Sequence, residues 1–273
     1  MSTNHSLSAT DLVLCYGDRT IVDGLSLEIP AAKFTVIVGA NACGKSTLLR
    51  GLARLLSPAS GSVLLDGRSI HQMPTREVAT LLGVLPQTPV APDGITVADL
   101  VGRGRYPHQG WFRQWGTADD VAVANALLAT DTLDLAGRAV DELSGGQRQR
   151  VWIAMALAEE TELLLLDEPT TFLDINHQVE VLDLLTDLVA ERGRTVVAVL
   201  HDLNLACRYA DHIIAMRDGR IAAAGVPGEV VNAELVKFVF GMNAEVVPDP
   251  VSQTPMIVPV GRHKQRPRLK AAE

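Results

Sequence analysis

Three short runs of almost continuous apolar residues stand out along the chain, at Phe34 to Val38, Leu163 to Leu166 and Thr195 to Leu200. Runs of this length, rich in aliphatic residues, are typical of strands in a parallel sheet that is covered on both faces. Helical sequence follows each run, which is the alternation that βαβ units produce. The pattern therefore predicts an α/β fold.

Apolar residues spaced three and four positions apart predict the helices. From Val151 to Ala158 they fall at i, i+3, i+4 and i+7, on one helical face. A similar stripe runs from about Asn176 to Arg192, and Gly193 then suits a C-terminal cap. A further helix is predicted at roughly Lys45 to Leu55, after the first apolar run.

The segment between the first and second apolar runs predicts an insertion. A break near Pro86 to Gly94 contains three prolines, and helical sequence then continues to about Glu160. We therefore predict a single domain over residues 8–240, in which a helical lobe at about residues 89–159 is inserted between the core segments 8–88 and 160–240.

Residues 241–273 are predicted to form a C-terminal extension. The periodicity weakens after Gly228, although Glu245 to Val247 and Met256 to Val260 are typical of a small antiparallel β pair. Residues 262–270 form a basic tail. We interpret the tail as a solvated end, and the alternative is contact with anionic lipid.

Composition limits the classes of protein to consider. The chain has 273 residues, 47% of them hydrophobic, which suffices for one sizeable core. The net charge of −8 gives no general reason to expect a nucleic-acid partner. The three cysteines are widely separated without a CxxC pair, which is typical of reduced thiols in the cytosol. Since no run approaches the roughly 20 apolar residues of a spanning helix and the first ten residues lack the apolar core of a signal peptide, we expect a soluble chain.

The segment after the first apolar run carries the strongest chemical signal. Gly39 to Thr47 has the sequence GANACGKST, which satisfies G-x-x-x-x-G-K-[ST] between a predicted strand and a predicted helix. In such a loop, backbone N–H groups and the helix N-terminus bind phosphate, and the glycines allow close approach. The candidate phosphate-binding residues are Gly39, Ala40, Asn41, Ala42, Cys43, Gly44, Lys45, Ser46 and Thr47.

Four side chains are expected to supply charge and metal ligands to this loop. Lys45 adds a positive charge for the β- and γ-phosphates, and the hydroxyl of Ser46 can ligate Mg²⁺. Asp167 follows a run of four leucines, at the carboxyl end of a strand where ligands of α/β sheets bind, and is placed to hold Mg²⁺ through water. Glu168, beside it, can polarise an attacking water.

A second glycine-rich helix start precedes the Asp167 strand. Leu143 to Gln147 has the sequence LSGGQ. A serine followed by two glycines is by itself an ordinary helix entry that can also bind phosphate. About 20 residues before LLLLDEP, however, the segment resembles the signature motif of ABC-type ATPases, and the resemblance covers almost the whole chain.

The resemblance implies a P-loop NTPase core of the ABC type that hydrolyses ATP with Mg²⁺, with an inserted helical lobe and a small antiparallel β part. Tyr16 matches the aromatic residue that stacks on adenine, Gln87 the glutamine that contacts Mg²⁺ and the permease-facing lobe, and His201 the switch histidine at the γ-phosphate. Thr171 to Asp174 is similar to the D-loop. The expected catalytic residues are Lys45, Glu168 and His201. The expected metal ligands are Ser46, Gln87 and Asp167.

The resemblance also implies an assembly, because the chain has one P-loop and one signature motif. A head-to-tail homodimer is expected, in which the P-loop of one chain and the LSGGQ of the other hold each ATP. The residues of the second half-site are Ser144, Gly145, Gly146 and Gln147, with Asp174 of the D-loop.

The P-loop departs from the family pattern at two positions. The family usually has glycine where this chain has Ala42, and often proline where it has Ala40. If residue 42 has a positive φ, alanine is strained there. We expect the loop to bind nucleotide, at some cost in affinity.

Less specific segments indicate the subfamily. Val101 to His108 with Trp111 and Phe112, His201 to His212, and Asp249 to Gly261 resemble the ATP-binding subunits of ferric-enterobactin, ferric-citrate and ferric-hydroxamate importers. The resemblance implies a peripheral protein at the cytoplasmic face of the cell membrane that powers ferric-siderophore uptake. Its expected partners are integral-membrane permease subunits and, indirectly, an extracytoplasmic siderophore-binding protein.

Other members of the family that the sequence resembles remain as alternatives. Haem and cobalamin importers share part of the subfamily pattern. A soluble ABC ATPase of DNA repair or translation is less expected, because such chains usually have two ATPase units or long coiled-coil or zinc insertions, and none is visible here. An exporter subunit is disfavoured only by the subfamily segments.

Overall fold

The computed structural model describes residues 5–109 and 115–261. The predicted basic tail at residues 262–270, and Trp111 and Phe112 of the subfamily pattern, lie outside the described residues. Within those residues, no helix is both long and apolar enough to cross a membrane.

The three apolar runs form strands whose bounds agree with the prediction to within one residue. The predicted α/β fold is confirmed. The strands formed by the described residues are β1 (Leu7–Tyr16), β2 (Arg19–Ile29), β3 (Phe34–Gly39), β4 (Ser60–Leu65), β5 (Arg68–Ser69), β6 (Leu82–Leu85), β7 (Leu163–Asp167), β8 (Thr195–Val199), β9 (His212–Arg217), β10 (Arg220–Gly225), β11 (Ala244–Pro248) and β12 (Pro255–Pro259).

The predicted helices are present, with differences at their ends. The helix predicted to reach Leu55 ends at Leu52, because the chain turns at Arg54, whose φ is 61°. Gly193 ends the long helix in the left-handed conformation, as predicted. The helices in the described ranges are α1 (Lys45–Leu52), α2 (Thr75–Leu81), α3 (Val97–Gly102), α4 (Thr117–Ala129), α5 (Gly145–Ala158), α6 (Ile175–Arg192), α7 (Leu203–Tyr209), α8 (Pro227–Val230) and α9 (Ala233–Phe240), with 3₁₀ helices at Arg103–His108, Leu133–Leu135 and Val140–Glu142.

The central sheet has the strand order β10-β9-β3-β8-β7-β6. Its strands pair in parallel, except that β10 pairs antiparallel with β9 at one edge. Strands β3, β7 and β8 are buried along their whole length, which explains their continuous apolar sequences. Because these three strands are parallel neighbours, their carboxyl ends lie side by side.

A hydrophobic core lies on each face of the central sheet. In β7, Leu164 and Leu166 pack in the core that contains α5, α6 and α7. Leu163 and Leu165 pack on the other face, in the core that contains α1, β1, β2 and β4. Successive side chains of a strand point to opposite faces, so one run of leucines serves both cores.

A second, antiparallel sheet has the order β2-β1-β4-β5 and packs over α1. The resemblance implied a small antiparallel β part, but no pattern in the sequence located these strands. The pairing of β1 with β2 shifts register between Ala9 and Leu12 and twice more before Cys15. Such bulges interrupt the alternation of apolar and polar residues that identifies a strand.

Helices α3, α4 and α5 pack against one another in the chain segment between β6 and β7. The buried side chain of Arg105 connects them: Nε donates to Asp119 Oδ1 at 3.0 Å, and Nη1 donates to the Ala158 carbonyl at 2.6 Å and to Glu160 Oε2 at 2.8 Å. This segment coincides with the predicted lobe. The division of the chain into core, lobe and extension remains a prediction.

The C-terminal part has more structure than its weak periodicity indicates. Strands β11 and β12 pair antiparallel, as predicted, with Ala244 opposite Pro259 and Pro248 opposite Pro255. The helix α9 was not predicted. It has only eight residues, which is too short for a stripe such as Val236 and Val239 to repeat clearly.

Candidate nucleotide site

The loop after β3 is fixed by close contacts with neighbouring backbone. A Cβ on Gly39 would lie 2.4 Å from the carbonyl oxygen of Met216 in β9, so no larger residue fits. Gly44, with a φ of 105°, is the N-cap of α1 and turns the chain into that helix. The loop is also bonded to the turn between β9 and β10, where the amide of Gly219 donates to the carbonyl of Cys43 at 2.9 Å.

The side chain of Lys45 is buried within this loop. The residue is 5% exposed, and Nζ donates to the carbonyl oxygens of Gly39 at 2.9 Å and Ala40 at 3.0 Å. An ammonium group has three donors, so one remains for an anion. The lysine therefore stabilises the loop and also makes it positively charged.

Asp167 and Ser46 form a hydrogen-bonded pair at the carboxyl end of β7. Ser46 Oγ donates to Asp167 Oδ1 at 2.9 Å. The second oxygen, Oδ2, is buried and has no hydrogen-bond partner in the described part of the chain. Burial raises the pKa of Asp167, against the lowering effect of the Ser46 bond. A hydroxyl and a carboxylate with an unpaired oxygen are ligands that Mg²⁺ prefers, so the pair fits such a cation.

Glu168 is surrounded by hydrogen-bond donors. His201 Nε2 lies 2.7 Å from Oε1, Thr171 Oγ1 donates to Oε2 at 3.2 Å, and Gln87 is a further donor. Burial by itself raises the pKa of Glu168, but the bonds from His201, Gln87 and Thr171 outweigh it and hold the pKa below its usual value. Glu168 is therefore a carboxylate at neutral pH.

Lys45, Ser46, Gln87, Glu168 and His201 line a cavity of about 510 Å³ at the carboxyl edge of the central sheet. Gly39, Ala40 and Cys43 belong to the loop but do not line the cavity, and Asp167 reaches it only through Ser46. The lining residues are Arg19, Ile21, Asn41, Ala42, Gly44, Lys45, Ser46, Thr47, Gln87, Glu168 and His201.

Comparison with known proteins identifies the family. The family model described as ABC transporter matches residues 22–171, which is more than half of the chain. The chain belongs to the ABC transporter family. The P-loop, Gln87 and the residues from Asp167 to Thr171 all lie within the matched segment.

Two ABC relatives are similar over nearly their whole length. The achromobactin transport ATP-binding protein CbrD of Dickeya dadantii is 52% identical over 267 residues, which cover 98% of this chain and 99% of that protein. The ferric enterobactin transport ATP-binding protein FepC of Escherichia coli is 53% identical over 256 residues, or 94% of each protein. Among solved structures, the dimeric bacterial ABC transporter cassette MJ0796 superposes with a TM-score of 0.74 at 27% identity, covering 81% of this chain and 98% of that one.

The ABC signature segment does not line the cavity of its own chain. Ser144 is the N-cap of α5: its Oγ accepts from the Gln147 amide at 3.3 Å, and its amide donates to Gln147 Oε1 at 3.1 Å. Gly145 and Gly146 lie beside Phe172, close enough that an added Cβ would be 3.6 Å from it. The structure thus leaves Ser144 and Gly145 exposed at a helix start.

Asp174 and Tyr16 also lie outside the cavity lining. Asp174 is the N-cap of α6 and accepts from the amide and the Nδ1 of His177, at 3.0 and 2.7 Å. The backbone bond from His177, followed by the ring bond, lowers the pKa of Asp174. Tyr16, at the end of β1, is 45% exposed, and its hydroxyl accepts from Arg50 Nη1 at 3.1 Å. The ligand-binding roles of Asp174 and Tyr16 remain predictions.

Two residues of the cavity lining were not predicted from the sequence. Arg19 and Ile21 line it from the start of β2, where Arg19 pairs with Tyr16 across a hairpin turn. The two turn residues, Gly17 and Asp18, between β-rich segments were the available signal. The bond from Thr171 to Glu168 was also missed, because no spacing rule indicates it.

Ala42 has a φ of 60°, in the left-handed region where glycine is favoured. We expect Ala42→Gly to stabilise the ligand-free fold by about 0.5–1 kcal/mol, because relief of about 1–2 kcal/mol of strain exceeds the entropy that a new glycine adds to the unfolded chain. Ala40→Gly is the matched control and should destabilise, since Ala40 has no positive φ. Urea unfolding measures both, and a shift of the same sign in the two variants would contradict strain at Ala42.

We expect Thr171→Val to raise the pKa of Glu168, because the variant removes one of the hydrogen bonds that hold it down. The carboxyl ¹³C shift of Glu168, followed during a pH titration, measures the change. Thr170→Val, one residue away, is the control. An unchanged Glu168 titration in Thr171→Val would show that the threonine hydroxyl does not stabilise the carboxylate.

Proposed function

We propose that this chain is the ATP-hydrolysing subunit of a bacterial importer of ferric siderophores, acting on a separate membrane permease. The observation that carries the ATPase part is the Glu168–His201 contact beside the P-loop cavity. About half of the residues are identical to those of the ferric enterobactin transport protein FepC, along nearly the whole chain. This identity supports the siderophore part of the proposal. ATP is the substrate, and Mg²⁺ is the expected cofactor.

The P-loop is proposed to hold the phosphates. The amides of residues 40–46 and the start of α1 would surround the β- and γ-phosphates, and the free donor of Lys45 would bind a phosphate oxygen. Tyr16 would contact adenine, and Arg19, in the cavity lining, adds a second positive charge. The exposed start of β2 thereby becomes part of the nucleotide site.

Ser46, Gln87 and Asp167 are proposed to hold Mg²⁺. Among the described residues Oδ2 of Asp167 has no donor, and this supports the assignment, because a buried carboxylate oxygen without a donor is otherwise unfavourable. When bound, the cation neutralises charge on the β- and γ-phosphates. A positive ion beside Asp167 would also favour its charged form and so oppose the effect of burial on its pKa.

Glu168 is proposed to act as the general base. Its lowered pKa keeps it ionised, so that it can orient a water and accept its proton as the water oxygen attacks the γ-phosphorus and ADP leaves. His201, 2.7 Å from Glu168, would orient that carboxylate and contact the γ-phosphate. Because hydrolysis needs both side chains, movement of either one would control turnover.

Each site is proposed to be completed by a second copy of the chain. Ser144, Gly145, Gly146 and Gln147 lie outside their own chain's cavity, and the exposed helix start that they form suits an anion supplied by a partner. The similarity to the dimeric cassette MJ0796 supports this arrangement. Asp174 would lie at the same dimer contact.

The remaining partners follow from the importer proposal. The helical lobe at about residues 89–159 would contact the integral-membrane permease, at the cytoplasmic face of the membrane. A siderophore-binding protein on the other side of the membrane would act on this chain only indirectly. The core segments, the lobe and the C-terminal extension are thus proposed to have separate tasks.

We expect Glu168→Gln to bind ATP but to hydrolyse it about 10²–10⁴-fold more slowly, because the amide keeps the shape of the base without its charge. With MgATP the variant should accumulate as a dimer that holds two nucleotides. Light scattering and nucleotide counting after gel filtration measure this outcome. A Glu168→Gln protein that stays monomeric with ATP would contradict the composite site.

The same dimer should be abolished by adding Ser144→Arg, which places bulk and positive charge at the shared phosphate contact. Ser57→Arg is the matched control, because Ser57 is an exposed serine past the opposite end of α1. Persistence of the dimer in the Glu168→Gln/Ser144→Arg protein would show that the signature segment is not part of the interface.

We expect deletion of the gene to stop uptake of a labelled ferric siderophore and to slow growth under iron limitation. Restoring the wild-type chain should restore uptake, and restoring Glu168→Gln should not. Normal uptake of every ferric siderophore in the deletion strain, together with a loss of haem or cobalamin uptake, would overturn the siderophore proposal and leave the ATPase proposal intact.

A further inference from the structure

Only Asp202 separates His201 from the helix α7. Asp202 is the N-cap of α7, and its Oδ1 accepts from the amides of Asn204 and Leu205 at 2.8 and 3.0 Å. Upstream, the buried strand β8 leads to Leu200, whose amide donates to the Ile37 carbonyl at 3.3 Å. With its upstream side fixed in the sheet, the position of His201 depends on where the first turn of α7 lies.

Asn204, in that first turn, is paired with the main chain of the C-terminal hairpin formed by β11 and β12. Its Oδ1 accepts from the Ile257 amide at 2.7 Å, and its Nδ2 donates to the Ile257 carbonyl at 3.3 Å. The side-chain amide thus binds β12 as another strand would. Because the Ile257 side chain is buried in the core shared with α7, the hairpin cannot slide without disrupting that core.

A second contact joins the same face of α7 to the hairpin one turn later. Arg208 Nη2 donates to Asp249 Oδ2 at 2.6 Å. Asp249 is buried and also accepts from the amides of Val251 and Ser252 at 2.8 and 3.0 Å. The bond from the Ser252 amide, then that from Arg208, holds the pKa of Asp249 well below its usual range, which favours the charged carboxylate that Arg208 binds.

The far end of α7 is attached to a different element. The Tyr209 hydroxyl donates to Asp183 Oδ1 in α6 at 2.9 Å. Helix α7 is therefore held between α6 on one side and the hairpin on the other. Of the residues that make these attachments, Asn204 is the closest in sequence to His201. Among the described residues of α7, it is also the only one whose side chain bonds both the amide and the carbonyl of one strand residue.

We propose that Asn204 is a positioning residue, through which the C-terminal hairpin sets the place of His201 against Glu168. The proposal rests on the function proposed above, in which the His201–Glu168 contact serves hydrolysis. The hairpin is then not merely an appendage of the core. It is a fixed support for α7, and a displacement of β12 is transmitted by one bidentate amide to the catalytic contact.

The kinetic test compares Asn204→Ala with wild type in the purified full chain. We expect kcat for MgATP to fall roughly tenfold, because a small misplacement of His201 loses alignment, while KM changes by less than about twofold. Val258→Ala is the matched control: it neighbours Ile257, but its side chain is exposed. In a His201→Ala background, Asn204→Ala should lower kcat by less than a further factor of about two, because the two residues act through one contact.

An equal loss in both backgrounds would overturn the proposal, since Asn204 would then act independently of His201. If Asn204→Ala does not fold, Asn204→Asp replaces it, because this variant keeps the acceptor for the Ile257 amide and loses the donor to the Ile257 carbonyl. Unchanged kcat in the folded variant would likewise overturn the proposal.

A spectroscopic measurement separates this inference from the ATPase proposal. In ligand-free protein, the imidazole signals of His201, assigned by their loss in His201→Ala, should shift in Asn204→Ala and not in Val258→Ala. Unmoved signals in Asn204→Ala would refute the positioning role. Shifted signals in a protein whose wild type hydrolyses no ATP would refute the proposed function and leave the structural link standing.

Discussion

The candidate site depends on one geometric constraint, which is that β3, β8 and β7 are parallel neighbours and therefore end at the same edge of the sheet. Gly39 ends β3, Asp167 ends β7, and His201 follows β8 after Leu200. These three residues are 34 to 162 positions apart in the sequence. Burial of all three strands on both faces leaves little freedom in register. The two cores therefore set the distance between loop, carboxylates and histidine.

Two adjacent carboxyl groups at this edge have opposite electrostatic surroundings. Burial raises the pKa of Asp167 despite the hydrogen bond from Ser46, whereas the hydrogen bonds from His201, Gln87 and Thr171 lower the pKa of Glu168. The backbone allows this because Glu168 takes a positive φ of 56° and turns away from the strand that buries Asp167. Residues of the same chemistry can thus have opposite pKa shifts within one dipeptide, as the proposed roles of metal ligand and general base require.

The sequence predicted those parts of the structure that local pattern encodes. The buried strands, the loop between β3 and α1, and the Gly193 cap were predicted correctly, because continuous apolar runs and a glycine at a fixed offset need no knowledge of distant contacts. Arg19 was missed because its place in the cavity follows from a bulged hairpin. The bond from Thr171 to Glu168 and the support of α7 by Ile257 were missed because they depend on tertiary packing, which leaves no periodic trace.

Oδ2 of Asp167, which has no hydrogen-bond partner in the part of the chain that the structure describes, affects the stability of the ligand-free protein. A buried carboxylate oxygen without a donor lowers the stability of the fold by about 1–3 kcal/mol relative to a satisfied one. A cation bound there would remove this penalty only in the native state, so occupancy of the site and resistance to unfolding would be thermodynamically linked. A newly made chain would then become more resistant to proteolysis as it acquires the cation, and removal of the cation would make it easier to degrade.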